Sequence, residues 1–141
     1  VPFIVAGPGV KADARIDAPI YLQDAMATAL DLAALEKPEQ VEFHSVLPLL
    51  RGEKSPAARE AVYGGYLELQ RAVIHDGWKL ILYPKAGVAR LYHVADDPDE
   101  MRDLAADPAQ AARKKALFQR LLAMQKELED KVDLTAAFPD L

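Results

Sequence analysis

The chain has 141 residues, 51% of them hydrophobic and 28% charged, and it contains no cysteine. This composition is typical of a soluble globular domain, and the lack of thiols excludes disulfides, thiolate nucleophiles and cysteine-ligated zinc from this segment. The net charge of −5 predicts no basic surface for nucleic acid or an anionic membrane, and no apolar run is long enough to cross a bilayer.

The amino end reads VPFIVAGPGV and predicts a strand over Phe3–Ala6 that is buried in an α/β sheet. The sequence Gly7-Pro8-Gly9 ends this strand with a strong turn signal. Neither an initiator methionine nor a polar tail precedes the strand. We therefore expect the chain to begin inside a larger domain.

The next two segments predict helices. Residues 23–35 carry apolar side chains at helical spacing. The apolar positions with this spacing are Met26, Ala29, Leu30, Ala33 and Ala34. In residues 41–51, Pro48 followed by two leucines predicts a short helix that packs on the core. Residues 52–60 are expected to form an exposed loop.

Residues 63–104 predict an antiparallel meander of three strands. Each strand-like segment ends in a turn signal, at His75–Gly77, at Pro84–Gly87 and at Asp96–Pro98. Trp78 lies in an alternating apolar pattern, and we expect it to anchor the core because a buried indole removes a large apolar area from water.

The acidic run at residues 96–100 has the composition of a calcium loop without its spacing. Pro98 interrupts the alternation of oxygen ligands, and the run has no central glycine. We therefore interpret it as a turn at Asp97-Pro98 that leads into a helix, with Glu100 in the first helical turn.

Residues 108–132 give the clearest helical pattern in the chain. Asp107 is the expected N-cap, and Pro108 occupies the first helical position. The apolar stripe consists of Leu117, Phe118, Leu121, Leu122, Met124 and Leu128. We expect the residues after Asp133 to fray.

These elements predict an α+β fold in two parts. Residues 1–52 would be the end of an α/β core, and residues 53–141 would be a C-terminal subdomain with a small antiparallel sheet packed by a helix. Neither part shows a complete active site.

The histidines give no metal-binding or catalytic pattern. His44, His75 and His93 are not spaced as a helical metal-binding pair, and no third group is evident that would orient a histidine toward Ser45 or Ser55.

Gln70 and Arg71 form the best polar pair for contact with a ligand. The planar fork of an arginine suits sulfate, phosphate or carboxylate. The alternative is that Arg71 lies at a strand edge and pairs with a surface acid.

Five segments, taken in order, resemble motifs of the sulfatases. VPFIVAGPGV is similar to VPxIxxxPG. Residues 24–34 resemble D-x-x-P-T-x-L-D-L-A-G, with Ala27 and Ala34 in place of the usual Pro and Gly. Residues 43–52 resemble G-x-S-L-L-P-L-L-x-G through Ser45 and the run Leu-Pro-Leu-Leu.

The other two segments belong to the meander. Residues 71–84 resemble R-x-V-R-x-x-x-Y-K-L-I-x-Y-P, with Trp78 at the aromatic position. Residues 91–105 resemble L-Y-D-L-x-x-D-P-x-E-x-x-N-L-A, with His93 and Asp103 in place of the usual Asp and Asn. The chain therefore resembles the C-terminal part of a type I sulfatase of the alkaline-phosphatase superfamily.

This resemblance implies a parent enzyme that hydrolyses sulfate esters with a formylglycine nucleophile and one calcium ion. The family makes its formylglycine from the Cys or Ser of a [CS]-x-P-x-R motif, and its calcium ligands lie mostly before this segment. Residues 55–59, SPAAR, place their proline one position early and do not match. We therefore expect no catalytic residue, metal ligand or cofactor in this chain, and no activity from it alone.

The resemblance also implies a place for the small sheet at one rim of the substrate cleft. Tyr66, Gln70 and Arg71 lie just before the central strand. They are expected to contact the leaving-group part of a sulfated small molecule or glycan.

Two alternatives stay open: a fragment of a related phosphodiesterase or phosphonate hydrolase, and a free-standing interaction module. The expected partner is the rest of the parent chain, with no nucleic acid and no membrane. Alone, the chain is expected to self-associate through the exposed edge of Phe3–Ala6 and the surface beside it. A bacterial parent would be periplasmic or secreted.

Overall fold

A computed structural model describes residues 3–141. The chain divides into two compact units, Val1–Glu60 and Ala61–Leu141. Val1 and Pro2, at the start of the predicted amino-terminal strand segment, lie outside the described residues. The assignment of residues 1–52 to a core and of residues 53–141 to a subdomain stays a prediction.

The first unit contains the two predicted helices, which are thereby confirmed. Helix α1 spans Asp24–Leu32, and helix α2 spans Leu47–Leu50 with Pro48 in its first turn. A proline is favourable there because its missing N–H has no partner within the helix at that position.

The buried face of α1 is not its apolar stripe. Asp24, Ala27 and Thr28 are buried, whereas Met26 is 60% exposed and Ala29 is exposed as well. Asp24 and Thr28 accept hydrogen bonds from the N–H groups of His44 and Val46, and these bonds decide which face turns inward.

Residues 3–6 form no strand, so the predicted buried strand is wrong. Ile4 is 90% exposed and Phe3 is 40% exposed. A strand inside a sheet needs hydrogen-bonded neighbours along its edges, and none of the strands in the described residues pairs with this segment.

The second unit is built on a four-stranded antiparallel sheet whose strands pair in chain order. The strands are β1 (Ala61–Tyr66), β2 (Gln70–His75), β3 (Trp78–Tyr83) and β4 (Val88–Tyr92). The predicted meander is confirmed, with β1 as an additional strand. Gly64 and Gly65 interrupt the side-chain alternation of β1, which removes the usual sequence signal of a strand.

The turn between β2 and β3 consists of Asp76 and Gly77, with φ angles of 49° and 72°. Positive φ at both residues is the pattern of a two-residue type I′ hairpin. A Cβ atom on Gly77 would lie 2.9 Å from the Cβ of Ala95. This position therefore requires glycine for its backbone conformation and for the space around it.

Helix α3, Ala111–Glu127, packs on one face of the sheet. A 3₁₀ turn at Pro108–Gln110 leads into it, and the Asp107 carboxylate accepts a hydrogen bond from the Ala109 N–H at 2.9 Å. The predicted cap and the existence of the helix are confirmed, but the helix ends at Glu127 and not at residue 132 as predicted. The core between helix and sheet contains Leu117, Phe118 and Leu121 with Val73, Leu80, Leu82 and Leu91.

Trp78 is confirmed as a core residue at 9% exposure. Its ring stacks on His93 with centroids 4.3 Å apart, and the Arg113 guanidinium lies 4.3 Å from the indole centroid. The predicted apolar stripe of α3 ends early, since Leu128 is 53% exposed.

The acidic run forms the predicted turn but not the predicted helix start. The Asp97 carboxylate accepts hydrogen bonds from the N–H groups of Met101 and Arg102 at 3.0 and 2.8 Å. Glu100 has a φ of 54°, which lies outside the right-handed helical region. The carboxylate therefore takes the donors that a helical turn would use.

The residues after Asp133 do not fray, so that prediction is wrong. They form helix α4, Leu134–Ala137, which the Asp133 carboxylate caps by accepting a hydrogen bond from the Ala136 N–H at 2.9 Å. Leu134 and Phe138 are buried in the core, and this burial holds the segment in place. None of the helices in residues 3–141 has the length and apolar character needed to span a membrane.

Candidate functional site

The end of the β1–β2 hairpin carries the three predicted site residues but divides them between two faces. Tyr66 and Gln70 are cross-strand partners and share one face of the sheet. Arg71 pairs with Gly65 and lies on the other face, which it shares with Val73 and α3. Of these three residues, only Tyr66 and Gln70 stand on the face away from α3. In agreement, Tyr66 is 62% exposed and Arg71 is 6% exposed.

The Arg71 guanidinium is bound to Asp130, which lies in the turn after α3. Its Nε and Nη2 atoms donate hydrogen bonds to the two carboxylate oxygens, with Nη2 2.9 Å from Oδ1, and the Tyr63 hydroxyl donates to Oδ2. Its Nη1 atom donates to the carbonyl oxygens of Leu67 and Gln70. The sequence left open a strand-edge Arg71 paired with a surface acid. The pairing with an acid is found, but Arg71 lies on an inner strand and both side chains of the pair are largely buried.

These contacts favour a charged pair beside a neutral phenol. The Arg71 hydrogen bonds hold the pKa of Asp130 far below its usual range, against the effect of burial, and the Tyr63 hydroxyl and the Val132 N–H lower the pKa further. Burial raises the pKa of Tyr63, and Asp130 raises it further. At neutral pH the cluster therefore consists of a guanidinium, a carboxylate and a protonated tyrosine.

The segment Tyr66–Gln70, which we call the β1–β2 turn, combines backbone strain with exposed apolar groups. Leu67 has a φ of 47°, a region that costs a bulky residue about 1–2 kcal/mol. The Leu69 N–H donates a hydrogen bond to the Tyr66 carbonyl at 3.0 Å. Leu67 and Leu69 are 72% and 43% exposed. Backbone strain of this kind clusters at binding sites and active sites.

An open groove of about 720 Å³ runs beside the β1–β2 turn. Glu68 of the turn, Lys85 of the β3–β4 connection and residues 130–133 line it. The Lys85 Nζ atom lies 3.1 Å from the Glu68 carboxylate, and both side chains are largely exposed. The groove is therefore of mixed charge, and Asp130 connects it to the Arg71 cluster.

A second buried ion pair lies in the first unit. The fully buried Asp24 accepts hydrogen bonds from Arg59 Nη1 and Nη2 at 2.6 and 2.9 Å, and from the N–H groups of Tyr21 and His44 at 2.8 and 3.1 Å. Burial raises the pKa of Asp24, but these hydrogen bonds together outweigh it and hold the pKa below its usual value. Arg59 also lies 4.5 Å over the Tyr21 ring.

The SPAAR segment, residues 55–59, has its polar groups engaged within the fold. The Ser55 hydroxyl donates to the Ser45 carbonyl at 3.2 Å and accepts from the Ala57 N–H at 3.1 Å. Arg59 belongs to the Asp24 pair, and Ala57 is fully buried. The expectation of an exposed loop holds for most of residues 52–60 but is wrong for Ala57.

The side chains of the described residues do not fit a metal centre. Within residues 3–141, no three His, Asp or Glu side chains form a group that could hold a metal ion. The Nδ1 atom of His93 lies 2.8 Å from Asp96 while its ring stacks on Trp78, and His44 contacts Asp24 through its backbone.

The sequence pattern did not point to Tyr63 or Asp130 as members of the cluster. Asp130 follows a helix without a local motif, and it lies 59 positions after Arg71. Arg71 lies two residues before the apolar Val73, so both side chains belong on the core face of the strand. A buried arginine needs an acidic partner, and this position was the one signal in the sequence for a buried acid.

The family model for the C-terminal region of N-sulphoglucosamine sulphohydrolase matches residues 1–127. The chain belongs to this family. The resemblance to the C-terminal part of the sulfatases is therefore confirmed.

The chain spans only part of each of two curated relatives. A protein of Haemophilus influenzae is 33% identical over 120 residues, which cover 81% of this chain and 60% of the relative. The Δ4,5-hexuronate-2-O-sulfatase of Bacteroides thetaiotaomicron is 29% identical over 140 residues, covering 92% of this chain and 27% of the relative. The chain thus spans about a quarter of that sulfatase.

Solved structures place this fold at the C-terminal part of alkaline-phosphatase-like enzymes, as predicted. A protein solved with its substrate D-glucosamine-2-N,6-O-disulfate aligns with a TM-score of 0.67 and 27% identity over 79% of this chain and 25% of that protein. The phosphonate monoester hydrolase of Silicibacter pomeroyi aligns with a TM-score of 0.69 over 92% of this chain and 29% of its own, at 21% identity, and shares the fold.

Proposed function

We propose that this chain works as the C-terminal part of a longer protein, called the parent protein below, which hydrolyses sulfate esters. The observation that carries the proposal is the family match over residues 1–127. The sulfatase relative, of which the chain spans 27%, supports a parent in which most of the enzyme lies in other segments.

The nucleophile and the metal belong to those other segments in this proposal. The chain has no cysteine, Ser55 and Arg59 are engaged in structural contacts, and the metal-ligating side chains of residues 3–141 form no suitable group. Formylglycine and calcium are therefore assigned to the rest of the parent, and the isolated chain has no sulfatase activity.

The substrate class proposed for the parent is a sulfated saccharide. One relative is a hexuronate-2-O-sulfatase, and one structural neighbour was solved with a sulfated glucosamine. Support from this chain is local: Tyr66 offers an exposed aromatic face, and Gln70 offers an amide with two donors and one acceptor. These groups suit the apolar face and the hydroxyls of a sugar ring.

Within the substrate cleft, we assign the contact to the exposed face of the β1–β2 turn. Tyr66 and Gln70 touch the leaving-group part of the saccharide. Arg71, which the sequence also placed in this set, contributes from behind the turn, since its donors are engaged with Asp130 and with backbone carbonyls.

Steady-state kinetics of the parent protein test this role. A panel of sulfated glycosaminoglycan disaccharides first identifies the saccharide with the highest kcat/KM, and 4-nitrophenyl sulfate serves as the small comparison substrate. Tyr66→Ala and Gln70→Ala should each raise KM for that saccharide about five- to tenfold, with 4-nitrophenyl sulfate turnover unchanged.

Met101→Ala is the matched control because Met101 is a large exposed side chain, at 84% exposure, outside the turn. It should leave both substrates unaffected. Equal losses on both substrates for Tyr66→Ala, or no change on either, would reject the rim contact.

A phosphonate monoester hydrolase is the second candidate for the parent. It is favoured by one observation, the shared fold over 92% of this chain. Turnover of a phosphonate monoester above that of every sulfate ester would select it. A periplasmic or secreted location is proposed for a bacterial parent, and cell fractionation with an antibody to this domain tests it.

A further inference from the structure

We propose that Arg71 and Asp130 are positioning residues that hold the β1–β2 turn in the conformation in which Tyr66 and Gln70 meet the substrate. The inference rests on the proposed function, because it presupposes that the exposed face of this turn touches a saccharide.

The Arg71 guanidinium joins two separate parts of the second unit. On one side it binds both oxygens of Asp130, in the turn after α3. On the other side its Nη1 atom binds the carbonyl oxygens of Leu67 and Gln70, which lie within the β1–β2 turn. The rigid fork of arginine can serve both sides at once, whereas an ammonium group cannot do so in the same geometry.

The contacts reach the residue that needs support. Leu67 holds a left-handed backbone conformation, and its own carbonyl is an acceptor of Arg71 Nη1. Tyr66 precedes Leu67 directly, so a change at Leu67 redirects the exposed tyrosine ring. We call the Arg71–Asp130 pair and its bonds to the turn the clamp. The clamp therefore acts on the orientation of the Tyr66 side chain, which it does not touch.

The strand opposite leaves room for this arrangement. Gly65 is the cross-strand partner of Arg71, and a Cβ atom there would lie 3.5 Å from the Cδ and Nε atoms of Arg71. That is ordinary contact, but any longer side chain would compete with the guanidinium for its path to Asp130.

The experiment compares Arg71→Lys with Arg90→Lys in the parent protein. Arg71→Lys keeps the charge and most of the stem while it removes the fork. Arg90 is the matched control, since it is another strand arginine paired with an aspartate, Asp103, at 3.0 Å but with a half-exposed side chain.

Backbone amide exchange gives the readout that does not depend on activity. Arg71→Lys should speed exchange in residues 67–70 about tenfold while β3 amides keep their protection. The KM for the saccharide should rise about fivefold, with 4-nitrophenyl sulfate turnover unchanged. Asp130→Asn should show the same pattern, and the double variant should be no worse than either single variant, because both changes open one clamp.

The outcomes separate the clamp from the proposed function. Faster exchange over the whole sheet, or unchanged exchange in the turn, overturns the positioning role. Local loosening in Arg71→Lys with no KM change in Tyr66→Ala rejects the rim contact of the proposed function, while the Arg71–Asp130 support of the turn stands. Loosening of the turn by Arg90→Lys to the same degree overturns the specific role of Arg71.

Discussion

Arg59 binds the carboxylate of Asp24 with both terminal nitrogens, at 2.6 and 2.9 Å, and Asp24 is fully buried. This pair accounts for the burial of a charged residue on the inner face of α1. Thr28, one turn after Asp24, accepts a hydrogen bond from the Val46 N–H at 2.9 Å, so both side chains tie α1 to the segment before α2.

Breaking this pair should destabilise the parent protein strongly. Arg59→Ala leaves the Asp24 charge buried without its main partner, which costs about 3–5 kcal/mol. Arg51→Ala, at an exposed position near α2, should change the free energy of unfolding by less than about 0.5 kcal/mol. Urea unfolding followed by circular dichroism measures both, and equal midpoints for the two variants would contradict the structural role of the pair.

Acid should remove the contribution of the Arg71–Asp130 pair. The pKa of folded Asp130 is lowered chiefly by the Arg71 hydrogen bonds, so the pair stabilises the fold above the unfolded pKa of about 4 and loses this effect as pH falls through the lower folded pKa. The stability difference between wild type and Asp130→Asn should shrink steadily below about pH 4. Urea midpoints at a series of pH values test this, and a difference that stays constant down to acid pH would speak against it.

Two glycines with positive φ should respond differently to alanine. Gly77 and Gly87 have φ angles of 72° and 62°, but only Gly77 would place a Cβ against another atom, 2.9 Å from the Ala95 Cβ. Gly87→Ala should cost about 1 kcal/mol from backbone strain, and Gly77→Ala about 3 kcal/mol because a steric clash is added. Thermal unfolding of both variants measures these two costs. Equal costs would mean that the β2–β3 turn shifts freely to make room for the Cβ atom of Gly77→Ala.

The isolated chain should self-associate, though not through the strand edge that the sequence suggested. Ile4, Leu22 and Leu35 of the first unit are 90%, 68% and 61% exposed, and exposed apolar groups in this number favour association. Light scattering of the purified chain should give a mass above that of a monomer that grows with concentration. A clean monomer at all concentrations would show that these groups are tolerated in water.

The elements that could be predicted from the sequence are those with a local signal. Three such signals are the alternation through Trp78 and Leu80, the Asp76-Gly77 turn and the Asp107 cap. Each of them determines the local structure of the residues beside it. The meander, its main turn and helix α3 were therefore predictable.

The rest depends on partners that are distant in sequence. An apolar run such as Phe3–Ala6 can be a strand only beside other strands. The inner face of α1 is set by Arg59, and the orientation of Arg71 is set by Asp130. The prediction grouped Arg71 with Tyr66 and Gln70 because they are close in sequence. Adjacent residues of a strand point to opposite faces, so Arg71 and Gln70 do not share one.

We propose that this chain is a sulfatase C-terminal domain and that other segments of the parent carry out the reaction. Sulfate release by the parent protein and by the isolated residues 1–141, measured by ion chromatography on the disaccharide panel and on 4-nitrophenyl sulfate, tests it most directly. The parent should release sulfate, and the isolated chain should release none above buffer. Sulfate release by the isolated chain, or a parent that hydrolyses phosphonate monoesters but no sulfate ester, would contradict it.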